Sequence, residues 1–253
     1  MSKFIRKLSQ AWQSGLQPMG FRAGQSGSQR PKMLLIASLA QVNVDSLADY
    51  VAGADAGLLR ISKLSSGTET LKKMSQAVPD IPWGGWLRDI SWGEMKPMKM
   101  VGCDFVVFPA ANTSLAILQN SEVGKILEVE ASLSEGLLRT IDELPVDAVL
   151  ITGEQKEDYF LTWQHLMLFW RFADSLAKPL LVSVPSRVMT NELQVLWEAG
   201  VGGVIVEAGV GGLKELRQAI DKLTFPPQRR RRKAGALLPH ISGAGPDAAT
   251  EEE

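Results

Sequence analysis

The chain is 253 residues long, 45% hydrophobic and 22% charged, with a formal net charge of −1 and a single cysteine, Cys103. This composition suits one large α/β domain and excludes a disulfide framework. No apolar run reaches the ~18 residues of a membrane-spanning helix. The start, MSKFIRKLSQAWQ, lacks an apolar stretch followed by a small-residue cleavage site, so no secretory signal is expected and the cytoplasm is the default location. The small net charge hides an asymmetry. Residues 1–44 hold six Lys/Arg and no acid, whereas residues 45–223 hold sixteen basic and twenty-four acidic residues. The run Arg229–Lys233 is basic again. An acidic body with basic ends is not a nucleic-acid-binding surface as a whole, although Arg229–Lys233 could touch an anionic surface or RNA.

In chain order, residues 1–31 read as a basic N-terminal extension. Residues 1–13 have the spacing of a short helix with Phe4, Ile5, Leu8 and Trp12 on one side. That side is expected against the rest of the fold, because a single short helix binds a bilayer weakly. Eight short apolar runs follow between residues 32 and 224: KMLLIAS (32–38), AGLLRI (56–61), PWGGWL (82–87), DFVVFP (104–109), KILEVE (125–130), DAVLIT (147–152), PLLVSV (179–184) and GGVIVEA (202–208). Near-continuous Val/Ile/Leu runs suit parallel strands buried on both faces. A stretch of helical spacing follows each run; the third, EMKPMKMVG (94–102), is interrupted by Pro97. Eight β–α units predict a single (β/α)8 barrel, the TIM-barrel fold. A doubly wound open sheet is the alternative, but no G-x-G-x-x-G fingerprint follows the first run. Residues 225–253, rich in Gly, Ala and Pro, read as a disordered tail.

In this fold, active sites are built at the carboxyl ends of the strands. The ends here carry Ser38, then Arg60, Ser62 and Lys63, then Arg88 and Asp89, and then Asn112 and Thr113. Glu128 and Glu130, Thr152 and Glu154, Ser186 and Arg187, and finally Glu207 complete the rim. Such a set could hold a divalent metal by oxygen ligands and an anionic substrate by Arg88; a rim that is merely solvated would read the same way. His165, in the apolar TWQHLMLFWRF, reads as structural, so the usual general base is missing. Trp83, Trp86 and Trp92 fit packing better than ligand stacking. Gly209, Gly211 and Gly212 could offer backbone N–H groups to a phosphate, which Glu207 would oppose.

Several stretches between Ser46 and Leu223 resemble the HpcH/HpaI aldolase family, the metal-dependent hydroxy-oxo-acid aldolases related to citrate lyase beta chains. They are LADYVAGADAGLL, GWLRDI, VGCDFVVFPAANTSLAI, LEVEASLSEGLLRTIDEL with VDAVLITG, and WEAGVGGVIVEAGVGGLKEL. The resemblance implies Mg²⁺ or Mn²⁺ held by Glu130, with Glu128 a neighbour on the same face. It implies that Arg88 stabilises the charge of a pyruvate enolate. The second metal carboxylate of the family has no Asp here, and Glu154 or Asp158 is the nearby substitute. The family's histidine falls on or near Lys63, which could act as a base or a Schiff-base amine. The family's long segment between strands 4 and 5 is mostly missing. Three expectations follow: a divergent carbon–carbon lyase for a small oxo-acid, its catalytic positions partly lost; a non-catalytic barrel serving as a binding or assembly partner or homo-oligomer; and a phosphate- or FMN-binding barrel using the strand 8 glycines.

Overall fold

Eight strands hydrogen-bond edge to edge in chain order, all parallel, and the eighth closes on the first. The computed structural model describes residues 2–14, 32–40, 46–87, 102–119, 122–152, 160–209 and 212–224. The strands are β1 (Leu34–Leu39), β2 (Ala56–Ile61), β3 (Trp83–Leu87), β4 (Phe105–Pro109), β5 (Gly124–Val129), β6 (Ala148–Ile151), β7 (Leu180–Ser183) and β8 (Val201–Glu207). The helices are α1 (Lys3–Ser14), α2 (Leu47–Tyr50), α3 (Leu64–Ala77), α4 (Glu135–Thr140), α5 (Trp163–Ser175), α6 (Thr190–Glu198) and α7 (Gly212–Asp221). The expected (β/α)8 barrel is the observed fold. No described helix is long and apolar enough to cross a membrane.

The strands are apolar on both faces because two separate cores need them. Leu34, Ile36, Ala56, Leu58, Trp86, Phe105, Val107, Ile126, Ala148, Leu150, Leu181 and Ile205 point inward and fill the barrel. Their alternates, such as Leu35, Leu59, Val106, Leu127, Val149, Val182 and Val204, pack beneath the helices with Phe169, Phe172, Leu193 and Leu213. Small residues make room where large ones cross. A Cβ on Gly84 would lie 2.4 Å from the Phe105 ring, and one on Gly57 would lie 2.3 Å from Trp83. After α6 the chain turns back into β8 through Gly200, whose φ of +97° an L side chain rarely adopts.

The base of the barrel, where the strands begin, is closed by α1. Phe4, Ile5, Leu8 and Ala11 are buried in the inner core, and the Phe4 ring stacks on Phe105 at 4.2 Å. Trp12, expected on the buried side, is only half-buried; Ala11 takes its place. Asp104 fixes the start of the helix. Its carboxylate accepts from Lys3 N (2.8 Å), Phe4 N (2.7 Å) and Ser2 Oγ (2.7 Å), N–H groups that a helix leaves without internal partners. Asp55 and Asp147 stand at the same level before β2 and β6. They accept instead from the preceding odd strand, at Leu35 N (2.9 Å) and Lys125 N (2.8 Å).

One expected helix differs. Leu115–Gln119 is a short 3₁₀ turn rather than an α-helix. The stretch 94–102 lies outside the described residues except for Gly102, as do 15–31 and the tail 225–253.

Candidate functional site at the barrel mouth

At the opposite end, the inward-facing residues of β1, β2, β5 and β8 change from apolar to polar within one step along the strand. Above Ile36 comes Ser38; above Leu58 comes Arg60; above Ile126 comes Glu128; above Ile205 comes Glu207. Residues two apart on a strand share a face, so these side chains project into the barrel axis or its rim. Ser38 of β1 pairs in register with Glu207 of β8, and Arg60 of β2 pairs with Trp86 of β3.

Glu128 forms one half of this layer. It is buried, and it accepts from the Trp86 indole Nε1 at 2.7 Å and from Thr152 Oγ1 at 3.1 Å. A buried carboxylate is tolerated only when donors replace its water. Here strands 3 and 6 supply them, tying three strands across the barrel. The other half is cationic. The Arg60 guanidinium carbon stands 5.6 Å from the centroid of the Trp86 ring, within cation–π range. An Arg60 terminal nitrogen is 4.0 Å from Glu207 Oε2, whose side chain is 65% exposed.

Among the described residues, two atoms of this layer are buried without a hydrogen-bond partner: Ser38 Oγ and Arg60 Nε. Ser38 is 2% exposed. Leaving a buried polar group unsatisfied costs about 1–3 kcal/mol, more when it is charged, so such groups are rare in folded chains. Two on adjacent strands at a barrel mouth are donors suited to an oxygen-bearing ligand.

The residues singled out from the sequence stand differently. Lys63 occupies the N-cap position of α3 and is exposed. Glu130 lies just past β5, exposed, and accepts from Ser132 Oγ at 3.2 Å. Gly209 and Gly212 border open space, with no atom within 4 Å of an added Cβ. No hydrogen bond or ion pair joins any two of these four. Arg88, Glu154 and Gly211 lie outside the described residues. Among the described residues, no group of three His, Cys, Asp or Glu is placed to hold a metal ion. His165 is structural: its Nδ1 accepts from Thr162 N at 3.1 Å and completes a capping box at the start of α5. Trp83 faces the helices and donates to Val78 O at 2.8 Å, whereas Trp86 faces the barrel interior and serves the site. The sequence reading named Ser38, Arg60 and Glu128 as strand ends but missed their grouping. The signal was the step of two from Ile36, Leu58 and Ile126.

No protein-family model matches the chain, and no curated protein matches it. Solved structures do. A mutant tryptophan synthase alpha-subunit from the hyperthermophile Pyrococcus furiosus is 13% identical with a TM-score of 0.58, the match covering 76% of this chain and 98% of that one. Orotidine 5'-monophosphate decarboxylase from Methanocaldococcus jannaschii is 13% identical with a TM-score of 0.51, covering 74% and 98%. A FabK mutant from Thermotoga maritima is 16% identical with a TM-score of 0.52, covering 69% of this chain and 62% of that one. At these identities the likeness establishes the TIM-barrel fold and no shared reaction.

Proposed function

We propose that the barrel mouth binds a small carboxylate of the oxo-acid class, and that cleavage of a carbon–carbon bond beside its carbonyl is the activity to seek. The observation that carries the binding half is the pair of buried donors Ser38 Oγ and Arg60 Nε, which have no partner among the described residues. A carboxylate placed between β1 and β2 would accept from both. Arg60 would neutralise it and, as a bond to the α-carbon breaks, the enolate oxygen that forms. Glu128, with both oxygens engaged, would hold Trp86 in place rather than react. Glu207 would turn away from the bound anion at little cost, being largely in water, and could carry a proton to or from solvent.

The lyase half is supported by the sequence resemblance, which adds Arg88 and Lys63 as further cations and Glu130 with Glu154 as ligands for Mg²⁺ or Mn²⁺. The described residues alone do not assemble a metal centre. The test is thermal melting of the purified chain with oxalate, pyruvate, phosphate, FMN and Mg²⁺, separately and combined. A ligand at about a hundred times its dissociation constant stabilises by about 2.7 kcal/mol, or about 5–10 °C for a chain of this size. A shift with oxalate or pyruvate that disappears in Arg60→Gln is expected. A shift with phosphate or FMN alone would move the site to Gly209, Gly211 and Gly212. No shift with any of them would leave a non-catalytic barrel.

A further inference from the structure

The helix α5 is apolar on both of its sides. Phe169 and Phe172 are fully buried and join the core between helices and barrel, as a crossover helix requires. The opposite side carries Trp163 and Met167, with the half-buried Trp170 in the next turn. Residues at i, i+4 and i+7 share one side of a helix, so these three form a single stripe. From Trp163 to Trp170 there is no Asp, Glu, Lys or Arg. The exposed sides of α3 and α7 are different: they carry Glu69, Lys72 and Lys73, and Lys214 and Glu215. Trp163 is 81% exposed, Met167 72%, and Phe160, just before the helix, 69%. At about 150–250 Å² for a large side chain of this kind, the three leave about 450 Å² of mostly apolar surface in water. Single exposed apolar residues are ordinary. A helix that is apolar all round is ordinarily buried, yet nothing among the described residues covers this one.

We propose that this side of α5 is the interface of a two-fold dimer, packed antiparallel against α5 of a second copy of the chain. A specific interface hides about 1,200–2,000 Å² in total, and two copies of these three side chains supply about 900 Å² before their flanks are counted. A two-fold contact needs only one patch, because each copy uses the same one. An axis at Met167 brings Arg171 of each copy level with Trp163 of the other, since each stands four residues from Met167. The guanidinium can then meet the indole face, and Trp and Arg are the residue types that carry most of the energy of interfaces. Arg171 is exposed and anchored, one terminal nitrogen donating to Leu133 O. The exposed Asp174, in the following turn, ends the stripe as part of a polar rim. A bilayer fits less well. Between residues 160 and 174 there is one Lys or Arg, Arg171, and residues 45–223 hold eight more acids than bases, which anionic lipid would repel.

The test is sedimentation velocity of the full chain over a range of concentrations. Interfaces of this size bind in the micromolar range or tighter, so at about 50 µM the chain should sediment as a species of twice its own mass. The double variant Trp163→Ser/Met167→Glu alters exposed side chains only, so circular dichroism should stay that of the wild type. Its dissociation constant should rise at least about a hundredfold, because each change counts twice in a two-fold contact. Leu115→Gln, as exposed as Trp163 but on the 3₁₀ turn Leu115–Gln119, should change it less than about twofold. The position of the axis has its own readout. Met167→Cys should close a disulfide between two copies under mild oxidation, and Lys214→Cys on α7 should not, because the bond demands close approach. A wild-type monomer at the stated concentration would overturn the proposal. So would an unchanged dimer in Trp163→Ser/Met167→Glu, or an equal loss in Leu115→Gln. Cross-linking through Lys214→Cys and not through Met167→Cys would overturn it too.

Discussion

Replacing Phe4 by alanine tests whether the barrel is closed at its base by α1 or merely decorated by it. Phe4 is fully buried, and its ring lies against Phe105, which itself fills the space left by Gly84. A buried phenylalanine removes about 150–200 Å² of apolar surface from water, worth about 4 kcal/mol at about 25 cal/mol per Å². Loss of the ring pair adds about 1 kcal/mol, and partial collapse of the helix into the space returns part of it, so the expected loss is about 4 kcal/mol. At about 2–4 °C per kcal/mol, the melting midpoint should fall by about 8–16 °C. In urea the midpoint should fall with an unchanged slope, since the same surface is exposed on unfolding. Lys3→Ala, on the exposed side of the same helix, should cost less than about 0.5 kcal/mol. A loss below about 1 kcal/mol for Phe4→Ala, or a helix that melts away while the barrel unfolds at the wild-type temperature, would refute the reasoning.

Further perturbations probe other parts of the account. Gly84→Ala puts a Cβ 2.4 Å from the Phe105 ring and should destabilise by about 1–3 kcal/mol by forcing that ring off its stack with Phe4, measured by urea unfolding. Glu128→Ala strands the Trp86 indole N–H and the Thr152 hydroxyl and should cost about 2–4 kcal/mol, whereas Glu128→Gln, which keeps an acceptor, should cost about half as much. Equal losses would mean that shape, not hydrogen bonding, sets the requirement. Burial pushes the Cys103 thiol up from 9.0 to about 12, and its sulfur contacts Phe105 O at 3.0 Å. Iodoacetamide at pH 8 should therefore label this half-buried thiol more slowly in the native chain than in the denatured chain. Phe4→Ala should speed native labelling, because α1 lines the cleft that contains Cys103; labelling at the denatured rate in the wild type would contradict the burial.

The fold was legible because a strand apolar on both faces leaves a short, dense signature. The run 56–61 coincides with β2, and the other seven strands begin and end within two residues of their runs. Gly53, Gly102 and Gly200, each standing shortly before a strand, all have the positive φ that returns the chain into the barrel. The site was harder to read. Glu128 and Glu130 are two apart and share a face, so in the sequence they read as equals, although β5 ends between them at Val129. Only the register separates the buried partner of Trp86 from the exposed partner of Ser132. The aspartates before β2, β4 and β6 show the same limit. Each stands before an apolar run in the sequence, but their partners at Leu35, on α1 and at Lys125 lie 20 to 102 residues away.

The central claim is that Ser38 and Arg60 form an anion receptor, and calorimetric titration of oxalate into the wild-type chain, Arg60→Gln and Ser38→Ala tests it most directly. The account predicts saturable binding by the wild type. It predicts a loss of at least about tenfold in Arg60→Gln, where a charged hydrogen bond of about 1.5–3 kcal/mol is removed, and a smaller loss in Ser38→Ala. Wild-type affinity in Arg60→Gln, or no heat from the wild type at millimolar oxalate, would contradict it.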